Sequence, residues 1–365
     1  MSKEKDEKKP DGPPPTIAEA LAELGKMGIA VAAIGAAQKD MKLAKIPTGL
    51  LSLDYILGGG YPRGRIIEIF GWESSGKSTL TLISAAECQR NGGVVALVDA
   101  EHCFDPEYAT MLGVDVAALI YVEPATGEEG LAVVEKLSST GKVDMIIVDS
   151  VAALVPDVEV QGEVGKQFVG RQASMMSQAL RKLTPIIAHS KAVVIFINQI
   201  RLKVGIVYGN PETTPAGMAL KFYASLRFKV SKKEKLKKKN DDTIYGHLIK
   251  VYVEKSKTSQ QYLSTDFQLI FGKGFSLVAD TVDAALAAGI LTKDGTKYMY
   301  KDQIVCIGYD KLIETLVADP EYYADIRLAV TNRICELKGV PVSSIKTEGM
   351  ADDVVTDVKK RGKSK

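Results

Sequence analysis

The sequence predicts an α/β fold: a mainly parallel sheet flanked by helices, with an N-terminal helix before it and a small C-terminal α+β domain after it. Three observations carry this. Four apolar runs, Ile66–Phe70, Val94–Val98, Val143–Val148 and Val193–Asn198, alternate with helix-length stretches, as in a parallel sheet covered on both faces. The first run feeds straight into a Gly-rich loop, Gly71-Trp72-Glu73-Ser74-Ser75-Gly76-Lys77-Ser78-Thr79, and then a helix, Leu80–Asn91, ended by Gly92-Gly93. Beyond residue 276 the pattern changes to short elements: Thr281–Gly289 and Ile313–Ala318 read as helices and Tyr298–Tyr300 as a strand.

Taken in order, residues 1–15 are charged and then Pro-rich, the composition of a disordered arm. Thr16, with Glu19 three residues on, forms a capping box for a helix whose stripe is Ile17, Ala20, Leu21 and Leu24. That helix either packs on its own core or docks on a neighbouring subunit. Residues 45–275 form the α/β core. Within it Leu226–Val230 and Leu248–Glu254 flank a Lys-rich loop, which suggests an antiparallel, hairpin-like extension. Residues 276–340 form the small α+β domain, and 341–365 a flexible tail ending in basic residues.

The chain has 365 residues, 46% hydrophobic and 25% charged, with a net charge of +2, so no global field demands a polyanionic partner. The lysines of 232–239 and the basic residues of 359–365 form two local runs, either solvated or in contact with nucleic acid. The four cysteines include no C-x-x-C pair, and the three histidines have no metal-ligand spacing. With no signal-peptide core, and with Gly28–Ala37 too short to span a bilayer, the expected setting is the cytoplasm, without a membrane partner.

The loop Gly71–Ser78 meets the pattern G-x-x-x-x-G-K-[ST] between a strand and a helix. Its glycines let backbone N–H groups face phosphates, and the helix N-terminus adds its positive dipole end. Lys77 is placed to reach the β- and γ-phosphates and Ser78 to ligate Mg²⁺. The strand Met145–Asp149 ends in a carboxylate suited to hold the same ion through water. The ligand these features predict is ATP–Mg²⁺. Hydrolysis also needs a group that activates water, and Asp99 and Glu101 follow a strand at the right edge of the sheet. From spacing alone they read equally as a solvated acidic turn.

The motifs GWESSGKST (71–79), LVDAEHCFDPEYA (97–109), IIVDSVAALVP (146–156), MMSQALRKL (175–183), FINQIR (196–201) and GNPETTPAGMALKFYAS (209–225) stand in this order. With them the chain resembles the RecA family of DNA-strand-exchange recombinases over residues 45–340. The resemblance implies a RecA-type P-loop ATPase core, with 16–44 as an oligomerisation segment. It implies that Glu101 activates the attacking water, that Tyr108 stacks on adenine and that Asp105 faces the adenine amino group. It implies that Gln199 senses the γ-phosphate, and that Lys255 and Lys257 reach ATP on the neighbouring subunit. Lys221 and Phe222 match a subunit-interface segment. Two DNA-binding loops are implied, at 157–170 and 200–217, neither showing a helical or strand period. Their candidate contacts are Val169, Arg201, Lys203, Val204, Tyr208, Asn210, Thr213 and Thr214, with Arg181 as a further phosphate contact. Arg201 and Lys203 suit phosphates, while Val204 and Tyr208 offer apolar or flat surface to bases.

The implied activity is that of a DNA-dependent ATPase. It forms a helical filament on single-stranded DNA, pairs it with homologous duplex and exchanges strands in recombination and repair. A repressor prompted to cleave itself, and filament-loading proteins, are further implied partners. A hexameric motor and a non-catalytic scaffold are competing readings. The chain departs from the family pattern at Trp72, whose side chain is expected to point away from the phosphates, at Tyr208, at Ser174, in the N-terminal segment and in its basic tail.

Overall fold

The computed structural model describes residues 16–27, 43–163, 168, 170–203, 205, 209, 211–238 and 242–338. The chain divides into two units, 1–44 and 45–365. The first contributes α1 (Ile17–Lys26). Its start is the expected capping box: the Glu19 N–H donates to Thr16 Oγ1 at 3.3 Å and the Thr16 N–H to the Glu19 carboxylate at 2.8 Å. The bond from Thr16 holds the Glu19 carboxyl below the usual carboxylate range. The arm 1–15, the stretch 28–42 and the tail from 339 lie outside the described residues.

The second unit holds strands β1 (Lys45–Ile46), β2 (Tyr61–Pro62), β3 (Arg65–Gly71), β4 (Val95–Asp99), β5 (Ile120–Val122), β6 (Met145–Asp149), β7 (Val193–Gln199), β8 (Arg201–Leu202), β9 (Glu212–Thr213), β10 (Leu226–Lys237), β11 (Ile244–Ser256), β12 (Ser264–Ile270), β13 (Gly274–Phe275), β14 (Leu291–Asp294), β15 (Lys297–Tyr300) and β16 (Gln303–Ile307). Its helices are α2 (Leu51–Leu57), α3 (Lys77–Arg90), α4 (Pro106–Met111), α5 (Gly127–Ser139), α6 (Asp157–Val160), α7 (Arg171–Ser190), α8 (Ala219–Tyr223), α9 (Leu277–Ala287), α10 (Tyr309–Ala318) and α11 (Pro320–Lys338).

Nine strands form one sheet in the order β13-β12-β11-β10-β3-β7-β6-β4-β5. From β10 to β5 every pairing is parallel; β11, β12 and β13 continue it antiparallel. Alternation along the central strands serves both faces. Ile67, Ile69, Leu97, Ile147 and Ile195 pack with Leu80 and Ile83 of α3. Ile66, Val98, Ile146, Val148 and Phe196 pack with Val134 of α5 and with Leu180 and Ile187 of α7.

The Lys-rich segment is not the expected loop. Lys232, Lys233, Lys235 and Lys237 are strand residues of β10, paired antiparallel with β11. Pairing satisfies the backbone, while the long side chains stay in water. The hairpin-like extension itself is present.

Toward the C-terminus, β14, β15 and β16 form an antiparallel sheet. With α9, α10 and α11 it encloses Val282, Leu291, Tyr298, Leu312, Tyr323 and Ile326. Asp280 of α9, buried, clamps this part to the start of α2: Leu51 N–H donates to its carboxylate at 2.6 Å and Ser52 N–H at 3.0 Å. Burial pushes the Asp280 carboxyl up, against the pull of the bonds from Ser52 and Leu51. Asp280→Ala strips two buried N–H groups of their acceptor, so unfolding in urea is expected to show a loss of about 1–3 kcal/mol. Among the described residues, no helix is long and apolar enough to cross a membrane.

Candidate nucleotide site

The phosphate loop begins where β3 ends. Gly71 stands in register with Gln199 of β7 on one side and Val230 of β10 on the other. A Cβ at Gly71 would lie 2.2 Å from the Val230 carbonyl oxygen, so only glycine fits this close approach. Gly76, at φ 90°, is the N-cap of α3 and provides no side-chain cap. The first-turn N–H groups of α3 therefore have no intrahelical partner and no side chain from the cap, the arrangement that receives an anion. Trp72, Glu73 and Ser74 are exposed, and Trp72 retains 43% of its accessible surface. Ser75 is buried, with its hydroxyl unpartnered among the described residues.

Lys77 is buried and its Nζ donates to the Trp72 carbonyl at 2.9 Å. Burial lowers its pKa, and Asp149 and Glu101 oppose the shift. The Ser78 hydroxyl donates to Asp149 Oδ2 at 2.7 Å. Burial pushes the Asp149 carboxyl up to about 6, with Ser78 opposing and Glu101 and Asp99 reinforcing.

Glu101 is held in place by three bonds to two strand ends. Its N–H donates to the Asp149 carbonyl at 3.2 Å. Its Oε1 accepts from the Ser150 hydroxyl and, at 2.9 Å, from Gln199 Nε2. Asp99, the other acidic candidate, has a structural task. Buried, it accepts from the N–H groups of Glu101, Cys103 and Phe104 and from the Tyr121 hydroxyl, and so shapes the turn that presents Glu101.

On the side of α4, Tyr108 Oη and Thr79 Oγ1 lie 2.9 Å apart. Asp105 caps α4, with Oδ1 accepting from the N–H groups of Glu107 and Tyr108. The turn from β12 to β13 closes this side, a role the sequence reading missed. A Cβ on Gly76 would lie 3.2 Å from the Phe275 ring, and one on Gly274 would lie 2.3 Å from Leu112. Ser150 was missed as well. The signals were the Gly272–Gly274 pair in FGKGF and the serine directly after the strand-end Asp149.

Lys255 and Lys257 are not at this phosphate loop. Lys255 pairs with Arg227, itself level with Glu68, three residues before Gly71 and about 10 Å along the sheet. Its Nζ donates to the carbonyls of Lys221 at 2.6 Å and Phe222 at 3.0 Å. Lys257 and Phe222 are exposed.

Of the candidate DNA contacts, Arg181, Arg201 and Lys203 are exposed and Thr213 is half-buried. Thr214 is buried. The second loop is not without strand character at its base, where β8 and β9 pair antiparallel and anchor its two ends. The first loop contains the single-turn helix α6. Val169, Val204, Tyr208 and Asn210 lie outside the described residues.

The family profile described as RecA N-terminal domain matches residues 16–276. Protein RecA of Thermus thermophilus is 50% identical over 293 residues, 80% of this chain and 86% of the relative. The chain belongs to the RecA family. Protein RecA of Nostoc punctiforme is 47% identical over 304 residues, 83% of this chain and 84% of its own length. A crystal structure of the RadB recombinase aligns at 23% identity with a TM-score of 0.48, over 63% of this chain and 98% of that one; the assignment rests on the sequence matches. As a RecA-family protein the chain is a recombinase of recombination and repair, a nucleotide- and DNA-binding protein that forms oligomeric filaments.

Proposed function

We propose that this protein hydrolyses ATP in a DNA-dependent manner as a helical filament on single-stranded DNA, and that it drives homologous pairing and strand exchange. The observation that supports this best is the bond from Gln199 to Glu101. It ties a carboxamide at the end of β7, beside Gly71, to the candidate water-activating carboxylate. The chain runs directly from Gln199 into Arg201 and the second loop. A change at the nucleotide therefore reaches the DNA-binding segment within two residues.

The residues suit a nucleoside triphosphate with Mg²⁺. The uncapped N-terminus of α3 fits phosphate, and the Ser78 hydroxyl and Asp149 carboxylate are hard oxygen donors. Bound there, Mg²⁺ would neutralise charge developing on the phosphates. Lys77 leaves the Trp72 carbonyl to meet phosphate oxygen. Glu101, aligned by Ser150 and Gln199, takes a proton from the attacking water. Tyr108, Asp105 and the turn from β12 to β13 hold the base. Lys255 and Lys257 of one subunit complete the site of the next, which makes hydrolysis a property of the filament.

In the same reading, residues 16–44 serve oligomerisation, 45–275 catalysis and DNA binding, and 276–340 form an accessory domain. A self-cleaving repressor and loading proteins are additional partners in the cytoplasm. Ion binding requires ionised Asp149, whose carboxyl stands at about 6. Magnesium-dependent nucleotide affinity is therefore expected to be full above that pH and to fall by up to about tenfold per unit below it; titrating a fluorescent ATP analogue between pH 5 and 8 reads this out. The proposal as a whole is tested by ATP turnover with and without single-stranded DNA across a salt series. It predicts stimulation by DNA that fades steeply with salt; turnover indifferent to DNA would overturn it.

A further inference from the structure

The middle of the sheet contains an ionic cluster where its neighbours are apolar. Glu68, in the centre of β3, is fully buried. Its Oε2 accepts from Arg227 Nε of β10 at 2.5 Å, and its Oε1 from Asn198 Nδ2 of β7 at 2.9 Å. Arg227 continues to Glu254 of β11 at 2.8 Å and lies 4.5 Å over the ring of Phe70. Asn198 Oδ1 accepts from the N–H of Gln199 at 2.9 Å, and its Nδ2 makes a long contact, 3.5 Å, with the Pro215 carbonyl at the end of the second loop. Lys255 stands opposite Arg227, beside the bulge that holds Glu254.

One carboxylate thus touches, through single intermediaries, the strand end bearing Gln199, the base of the second loop and the strand bearing Lys255. A buried ion pair of this kind is a poor source of stability, because desolvation offsets most of its attraction and apolar packing does as well. Its distinctive property is directional bonding that fixes the elements around it relative to one another. We propose that Glu68 is the buried node of the nucleotide switch, and that Asn198 and Arg227 are positioning residues through which Gln199, the second loop and the Lys255 strand move together. The inference rests on the functional reading above.

The full-length protein tests it through the ratio of DNA-stimulated to basal ATP turnover. Asn198→Asp keeps the acceptor for the Gln199 N–H but sets a carboxylate against Glu68. The stimulation ratio is expected to fall by about tenfold, with ATP affinity held within a few-fold. The reversed pair, Glu68→Gln with Asn198→Asp, restores a donor–acceptor match at unchanged net charge and is expected to recover most of the ratio. Asn198→Ala takes the place of the aspartate variant if that one does not fold. A folded single variant with the native ratio, a proportional loss of basal and stimulated rates, or a reversed pair no better than the single variant would each overturn the inference. A native protein that DNA does not stimulate would overturn the functional reading and this one with it, which separates the two failures.

Discussion

Glu101→Gln is expected to leave ATP bound with affinity within a few-fold of native while slowing its hydrolysis by about 10²–10⁴-fold, the usual contribution of a general base. Glutamine has the size of glutamate, and its carbonyl can still accept from Ser150 and Gln199, the two groups that hold Oε1. It lacks a basic oxygen for the proton of the attacking water. The neighbouring carboxylates do not substitute. Asp99 is engaged by three backbone N–H groups and the Tyr121 hydroxyl, and Asp149 by Ser78. Single-turnover hydrolysis beside equilibrium binding of the nucleotide separates the two effects. A rate within threefold of native would place the base elsewhere.

The second large effect concerns stability. Arg227→Ala leaves the Glu68 carboxylate buried with Asn198 as its remaining partner in the cluster. Removing one member of a buried ion pair costs about 3–5 kcal/mol, because the other charge is stranded in a low-dielectric interior. Urea unfolding is expected to show that loss, well beyond the effect of an exposed pair such as Lys301–Asp325, which water screens. A loss below 1 kcal/mol would mean that water or another cation reaches Glu68 once the guanidinium is gone.

The features legible in the sequence are those written in local pattern. Mainly apolar runs marked β3, β4, β6 and β7, because strands buried on both faces need no alternation. The loop Gly71–Thr79 and the strand-end Asp149 were legible because a phosphate site makes strict local demands on the backbone. Long-range partners were not. Glu68 reads as one charge in an apolar strand, and Arg227 and Asn198 stand 159 and 130 residues away. The reach of β10 through its lysines was hidden because charged residues favour loops by composition, whereas pairing with β11 decided the outcome. No helix was read from the sequence at α11, although Tyr323, Ile326, Val330 and Ile334 recur at helical spacing and are buried. Its start was nonetheless written in Asp319-Pro320: the Asp319 carboxylate accepts from the Tyr322 N–H at 3.0 Å, and a proline at the first helical position lacks only a hydrogen that would be unpaired there anyway. For Asp99 and Glu101, spacing left two carboxylates at the same sheet edge; the family resemblance favours Glu101 as the base, and the turn's hydrogen bonds give Asp99 the organiser's part.

In the proposed filament each nucleotide site is shared, with Glu101 on one subunit and Lys255 and Lys257 on the next. Mixing two inactive proteins, Glu101→Gln and the double variant Lys255→Ala/Lys257→Ala, tests it on single-stranded DNA. In a head-to-tail filament of random composition, roughly one junction in four joins two intact halves, so the mixture is expected to recover roughly a quarter of native ATP turnover. A mixture no more active than the two variants measured apart would contradict the shared site.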